Sequence, residues 1–176
     1  MADLQEKACR IRLLLFDVDG VLTDGVVTVH ADGSESKGFH IRDGAAIVWA
    51  QRAGIPVGLV SARASAATTQ RAAQLAIRIV AQGVPTKLAA YEQIVRDAAI
   101  EDSAVAYMGD DLLDLPVIAR AGLSGAPADA AAEVRQAVDW VSSQPGGRGA
   151  AREFIELVLR ARGLWDRVTG DYFARS

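Results

Sequence analysis

Two aspartates, Asp17 and Asp19, stand one residue apart at the end of an apolar run, with Gly20 directly after. Carboxylates held this close repel each other unless a cation or a proton relieves the repulsion, so the pair implies a metal, a raised pKa, or both. A second acidic pair, Asp110 and Asp111, follows another apolar run, and Asp114 comes three residues later. Between the two pairs lie Ser61, again just past an apolar stretch, and Lys87 at the start of a predicted helix. Acids for a hard cation, a hydroxyl and an ammonium form a set suited to a phosphoryl group. The cation and the lysine would neutralise charge on the transferring oxygens, the serine would donate a hydrogen bond, and a carboxylate could act as nucleophile. Each member also has a plainer reading. Asp and Gly are common turn residues, Ser61 alone would be a strand-end cap, Lys87 alone a solvated lysine, and Asp114 in a helix first turn could simply favour the helix dipole.

The elements that must position these residues alternate. Leu13–Phe16 is too short for a helix and has the pattern of a strand buried on both faces. Further strands are predicted at 57–60, 77–80, 105–108 and 123–125, with an edge strand at 140–141. Helices are predicted at 43–53, 65–75, 87–99, from the acidic pair to Gly122, at 129–138 and at 150–162, with Thr86 as the cap of the third. Alternation at this spacing indicates an α/β fold with a doubly wound parallel sheet and right-handed crossovers. In such a sheet the strand ends that carry Asp17, Asp19, Ser61 and Asp110 face one edge, where ligands bind. A β-hairpin insertion is expected over 25–40, with strands at 26–30 and 36–39 about an Asp32-Gly33 turn. It is too small to bury a core, and its unpaired edges favour association. The chain 1–176 is expected to be one domain, with a Gly-rich loop and helix at 145–162 and a tail at 163–176.

At 176 residues, 51% hydrophobic and 23% charged, the chain fits an ordinary soluble globular domain. A net charge of −3 gives no nucleic-acid footprint. Cys9 is the only cysteine, which excludes an internal disulfide or a cysteine metal cluster and suits a reducing cytosol. No signal-like or membrane-length apolar run occurs, so a cytoplasmic protein is expected. His30 and His40 lack the clustered partners of a metal site, and Trp49, Trp140 and Trp165 read as packing residues.

The segment FDVDGVLTD at 16–24, the serine of Val60-Ser61-Ala62-Arg63, Lys87, and the Gly109-Asp110-Asp111-Leu112-Leu113-Asp114 segment resemble, in order and spacing, the four motifs of the haloacid dehalogenase superfamily of phosphohydrolases. The resemblance implies that Asp17 is the nucleophile that forms an aspartyl-phosphate, and that Asp19 protonates the leaving oxygen and then activates water. Ser61 and Lys87 would hold the phosphoryl oxygens. Asp110 would bind Mg2+ with the Asp17 carboxylate and the Asp19 backbone carbonyl. Asp111 would support the metal or orient Lys87, with Asp114 in the same group. Oxygen-only ligation is what Mg2+ prefers.

The gaps between these motifs hold no cap domain, so the site must be closed in another way, a neighbouring subunit being the obvious means. Nearly the whole chain resembles the 3-deoxy-D-manno-octulosonate 8-phosphate phosphatase family. The residues that carry this are DVDGVLTDG, Lys37-Gly38-Phe39, Arg42-Asp43-Gly44, GDDLLDLP from Gly109, and Gly146-Gly147-Arg148-Gly149-Ala150 with Arg152-Glu153. It implies a homotetramer with sites shared between subunits, and Gly20, Ala62, Arg63, Arg148 and Arg152 as substrate-binding residues. A guanidinium suits the sugar acid's carboxylate. Ser61-Ala62-Arg63 departs from the family's more usual Thr-Gly-Arg but keeps the hydroxyl. A related phosphatase for a nine-carbon sialic-acid-like 9-phosphate tends to have Glu where Arg63 stands. A non-catalytic regulatory module of the same fold is the alternative from another class.

Overall fold

The computed structural model describes residues 2–173. In chain order the elements are α1 (Ala2–Arg10), β1 (Leu13–Phe16), β2 (Thr28–Val29), β3 (Glu35–Ser36), α2 (Ile41–Arg52), β4 (Val57–Ser61), α3 (Ala66–Gln74) and β5 (Ile79–Gln82). They continue with α4 (Lys87–Ala98), β6 (Val105–Met108), α5 (Leu115–Ile118), β7 (Leu123–Ala126), α6 (Ala132–Ala137), β8 (Trp140–Val141), α7 (Ala150–Ala161) and α8 (Trp165–Phe173). Short 3-10 turns cover Asp102–Ala104 and Leu112–Asp114.

The main sheet is parallel throughout, in the order β5-β4-β1-β6-β7-β8, with β1 between β4 and β6. Because side chains alternate across a strand, neighbouring residues of β1 feed different layers. Leu14 and Phe16 join the core beneath α1, α2 and α7 with Ala46, Ile47, Phe154 and Val158, while Leu13 and Leu15 join Val60, Tyr91, Tyr107 and Val117. All four β1 residues are buried. Helices thus cover both faces, as the doubly wound reading requires, and no cap domain is present among the described residues.

Several element bounds differ from expectation for local reasons. β5 begins two residues later than predicted, because Ala76 turns left-handed at φ +54° and Ile77 N–H closes back onto Ala72 O at 2.9 Å. The hairpin forms, but its strands are two residues each, since both lie largely outside the core and no burial extends the ladder. The helix expected from the acidic pair to Gly122 is a 3-10 turn followed by the four-residue α5, with Pro116 in its first turn. Thr86 occupies the cap position of α4 in extended conformation, yet its side chain makes no capping bond.

Candidate active site

Three adjacent strands, β4, β1 and β6, end at the same edge and deliver Ser61, Asp17 and Asp110. The β1–β6 ladder runs on past the strand, with Asp17 N–H donating to Met108 O at 2.9 Å, so Asp17 leaves the sheet on a rigid backbone. The chain then turns sharply at Gly20, φ +86°, where a Cβ would lie 2.0 Å from Asp110 Oδ2. Only glycine lets this loop pass so close behind the second carboxylate. Together Asp17, Asp19, Ser61, Arg63, Lys87 and Asp110 line a cleft of about 280 Å³, with Ala62 and Asp111 at its wall. A larger apolar pocket of about 430 Å³ adjoins it and shares Ala62, Lys87 and Leu113.

Lys87 is the electrostatic centre. Its Nζ lies 2.9 Å from Asp17 and 2.6 Å from Asp114. Burial pulls the ammonium down, but the two carboxylates outweigh it and hold the lysine charged. Asp114 is fully buried and saturated. Its Oδ1 accepts from Lys87 and from Tyr107 Oη at 2.5 Å, and its Oδ2 from the N–H groups of Asp110 and Asp111.

One lysine cannot neutralise Asp17, Asp110 and Asp114 together. Burial and then repulsion from Asp114 push Asp17 up to about 6, and burial with repulsion from Asp17 and Asp114 pushes Asp110 to about 8. Oxygens of these three carboxylates lie within 4.8 Å of one another. Asp17 Oδ1 and Asp110 Oδ1 are buried and have no hydrogen-bond partner. Two orphaned carboxylate oxygens beside an excess of negative charge fit a hard divalent cation. Asp114 has no lone pair left for it, so the ligands this arrangement offers are Asp17 and Asp110, with the chain at Asp19 alongside.

Comparison with known proteins bears on what this cleft belongs to. The profile of haloacid dehalogenase-like hydrolases matches residues 63–153. The 3-deoxy-D-manno-octulosonate 8-phosphate phosphatase of Escherichia coli K12 is 42% identical over 169 residues, covering 96% of this chain and 90% of that protein. The chain belongs to the 3-deoxy-D-manno-octulosonate 8-phosphate phosphatase family of haloacid dehalogenase-like hydrolases. A probable YrbI family phosphatase from Pseudomonas syringae superposes with a TM-score of 0.97, 40% identity and full coverage of both chains. The Moraxella catarrhalis phosphatase, solved with magnesium, phosphate and 3-deoxy-D-manno-octulosonate, superposes with a TM-score of 0.95 at 34% identity, over 98% of this chain and 99% of that one.

Within this hydrolase fold the residues expected from sequence do not all meet. Asp111 is exposed, its carboxylate accepts from Leu112 N–H at 2.8 Å, and Asp114 rather than Asp111 holds Lys87. Arg152 lies away from the cleft, bound to Glu156 at 2.6 Å with its guanidinium over the Trp49 ring. Arg148 is exposed and 4.0 Å from Asp24, outside the cleft lining. Arg63 does reach the cleft, between Asp19 at 3.7 Å and Glu35 at 3.0 Å. Lys37, not singled out as a site residue from sequence, has a buried side chain and pairs with Asp19 at 2.7 Å. Glu35 and Lys37 are two residues apart along the hairpin, so period-two alternation puts both on the side facing the cleft. That spacing was the available signal.

Proposed function

We propose that the protein is a Mg2+-dependent phosphomonoesterase that hydrolyses 3-deoxy-D-manno-octulosonate 8-phosphate to the free sugar acid and phosphate, in lipopolysaccharide biosynthesis. The observation that carries the reading is the pair of buried, unpartnered oxygens of Asp17 and Asp110 beside Lys87. When bound, the cation would neutralise charge on the phosphoryl oxygens. Asp17 attacks phosphorus as the bond to the sugar oxygen breaks, and Asp19 gives that oxygen its proton. Asp19 then takes a proton from water, whose oxygen attacks phosphorus, and the bond to Asp17 breaks. Ser61 and Lys87 hold the phosphoryl oxygens, Asp114 fixes Lys87, and Lys37 and Arg63 orient Asp19. Arg63 also stands where the substrate carboxylate would find a guanidinium.

We read residues 1–176 as one cytoplasmic hydrolase domain that assembles as a homotetramer with shared sites. The open cleft, with no cap among the described residues, supports this, as do the exposed hairpin residues Val26 and Val29. No described helix is long and apolar enough to cross a membrane. In that assembly Arg148 and Arg152 would serve the substrate through a neighbour or not at all. Light scattering that found a fully active monomer would remove the shared site.

The test is kcat/KM with Mg2+ on the octulosonate 8-phosphate beside a nine-carbon sugar-acid 9-phosphate and hexose phosphates. We expect at least a hundredfold preference for the first, about 2.7 kcal/mol of transition-state binding, and no turnover in Asp17→Asn. A better nine-carbon substrate would reassign specificity. A wild-type protein that binds Mg2+ but hydrolyses nothing would make it a regulatory module.

A further inference from the structure

We propose that Asp43 is a positioning residue for the reaction, clamping the Gly-rich loop at 145–149 against the back of the catalytic loop at 17–24. It lies in the first turn of α2, is 2% exposed, and does not line the cleft. Its carboxylate serves a different helix. Oδ2 accepts from Gly149 N–H at 3.2 Å and Oδ1 from Arg152 N–H at 2.8 Å, the cap and third-residue amides of α7. A helix normally satisfies such amides with the side chain of its own cap residue. Gly149 has none, and its φ of +117° is one that L side chains rarely adopt. The cap is therefore supplied from a residue over a hundred positions earlier, with His40 Nδ1 3.6 Å from the same carboxylate.

What precedes Gly149 gives this cap its consequence. Gly147 N–H donates to Val21 O at 2.9 Å. A Cβ on Gly146 would lie 1.8 Å from Gly20 O, and Gly146 N–H donates to Asp129 at 2.8 Å. Gly20 in turn presses against Asp110. A continuous line of backbone contact thus runs from Asp43 through 149, 147 and 146 to the turn between Asp19 and the proposed metal carboxylate. The body of α7 does not depend on it, because Phe154, Ile155, Val158 and Leu159 anchor that helix in the core. Asp43 fixes only its first turn and the loop before it.

The kinetic part of this inference rests on the phosphatase reading; the exchange part does not. In the full-length protein with Mg2+, Asp43→Ala should speed amide exchange in peptides covering 146–152 and 18–23, leaving 154–161 unchanged. It should also lower kcat about tenfold or more with KM within about twofold, since small misplacements of reacting groups cost up to ~10²-fold. Asp43→Asn, which keeps one acceptor oxygen, should fall between. Gly146→Ala moves the loop without touching Asp43 and should give the same kinetic pattern, which serves if Asp43→Ala does not fold. Faster exchange confined to 146–152, or wild-type kcat in Gly146→Ala, would overturn the proposal. If the wild type hydrolyses no substrate, the phosphatase reading fails and the exchange at 18–23 decides the clamp alone.

Discussion

The acidic cluster that would hold the metal should weaken the metal-free fold, and Asp110→Asn measures by how much. In the native state Asp110 is raised from 3.8 to about 8, by burial and then by Asp17 and Asp114. A group with a raised native pKa holds more protons folded than unfolded, so its contribution to stability is fully present below about pH 4 and is lost as pH climbs toward 8. Moving one carboxyl over that range corresponds to about 6 kcal/mol at full ionisation. Because Asp17 and Asp110 titrate as a pair, part of this is shared with Asp17, and about 2–3 kcal/mol is expected for the substitution. For a chain of this size that is a Tm higher by about 5–10 °C. The assay is thermal unfolding in chelator at pH 8 and at pH 5, followed by Mg2+ addition. Asp110→Asn should exceed the wild type at pH 8 and lose most of that advantage at pH 5. Mg2+ should stabilise only the wild type, and more strongly at the higher pH. A variant no more stable than wild type in chelator at pH 8, or equally favoured at both pH values, would refute the repulsion argument.

Asp114→Asn puts an amide where four donors converge, leaving two of them facing NH2. We expect a loss of about 3–5 kcal/mol in stability and at least a hundredfold fall in kcat through a displaced Lys87. Unchanged melting and turnover would show that Asp114 is dispensable. Phe154→Ala should cost about 3–5 kcal/mol in urea unfolding. That ring stacks on Trp140 at 5.5 Å, meets Phe16 edge-on at 6.3 Å, and fills the space left by Gly125. Its kcat, measured well below Tm, should change little.

The strands that end in functional residues were legible because burial on both faces leaves an unbroken apolar run, as at Leu13–Phe16 and Val105–Met108. Polar residues then mark where each run meets the sheet edge. The role of Asp114 beside Lys87 was legible from the family resemblance but not from the residues around it. Its local context offers a helix start, whereas its partner Lys87 is 27 positions away and only the fold brings them together. Arg152 shows the converse: the resemblance suggested substrate, whereas within the chain Trp49 and Glu156 hold its side chain. Lys37 was marked only by its period-two spacing from Glu35, because the hairpin is too exposed for hydrophobic patterning to define its faces. α8 lies where the sequence left the path of the tail open. It is tied to the body by Trp165, which meets Trp49 edge-on at 5.8 Å. Met1 and residues 174–176 of that tail lie outside the described residues.

The hairpin adds little to the core, and its nearest attachments to the cleft are ionic. The two are not equal. Lys37 to Asp19 is sealed from solvent on the lysine side, whereas the Arg63 side chain facing Glu35 is 57% exposed. Dissolved ions shorten the reach of exposed charges to about 8 Å at physiological ionic strength and to about 3 Å at 1 M, but act weakly on buried ones. Raising the ionic strength should therefore loosen the outer attachment while the inner one holds, freeing Arg63 before the hairpin base lets go of Asp19.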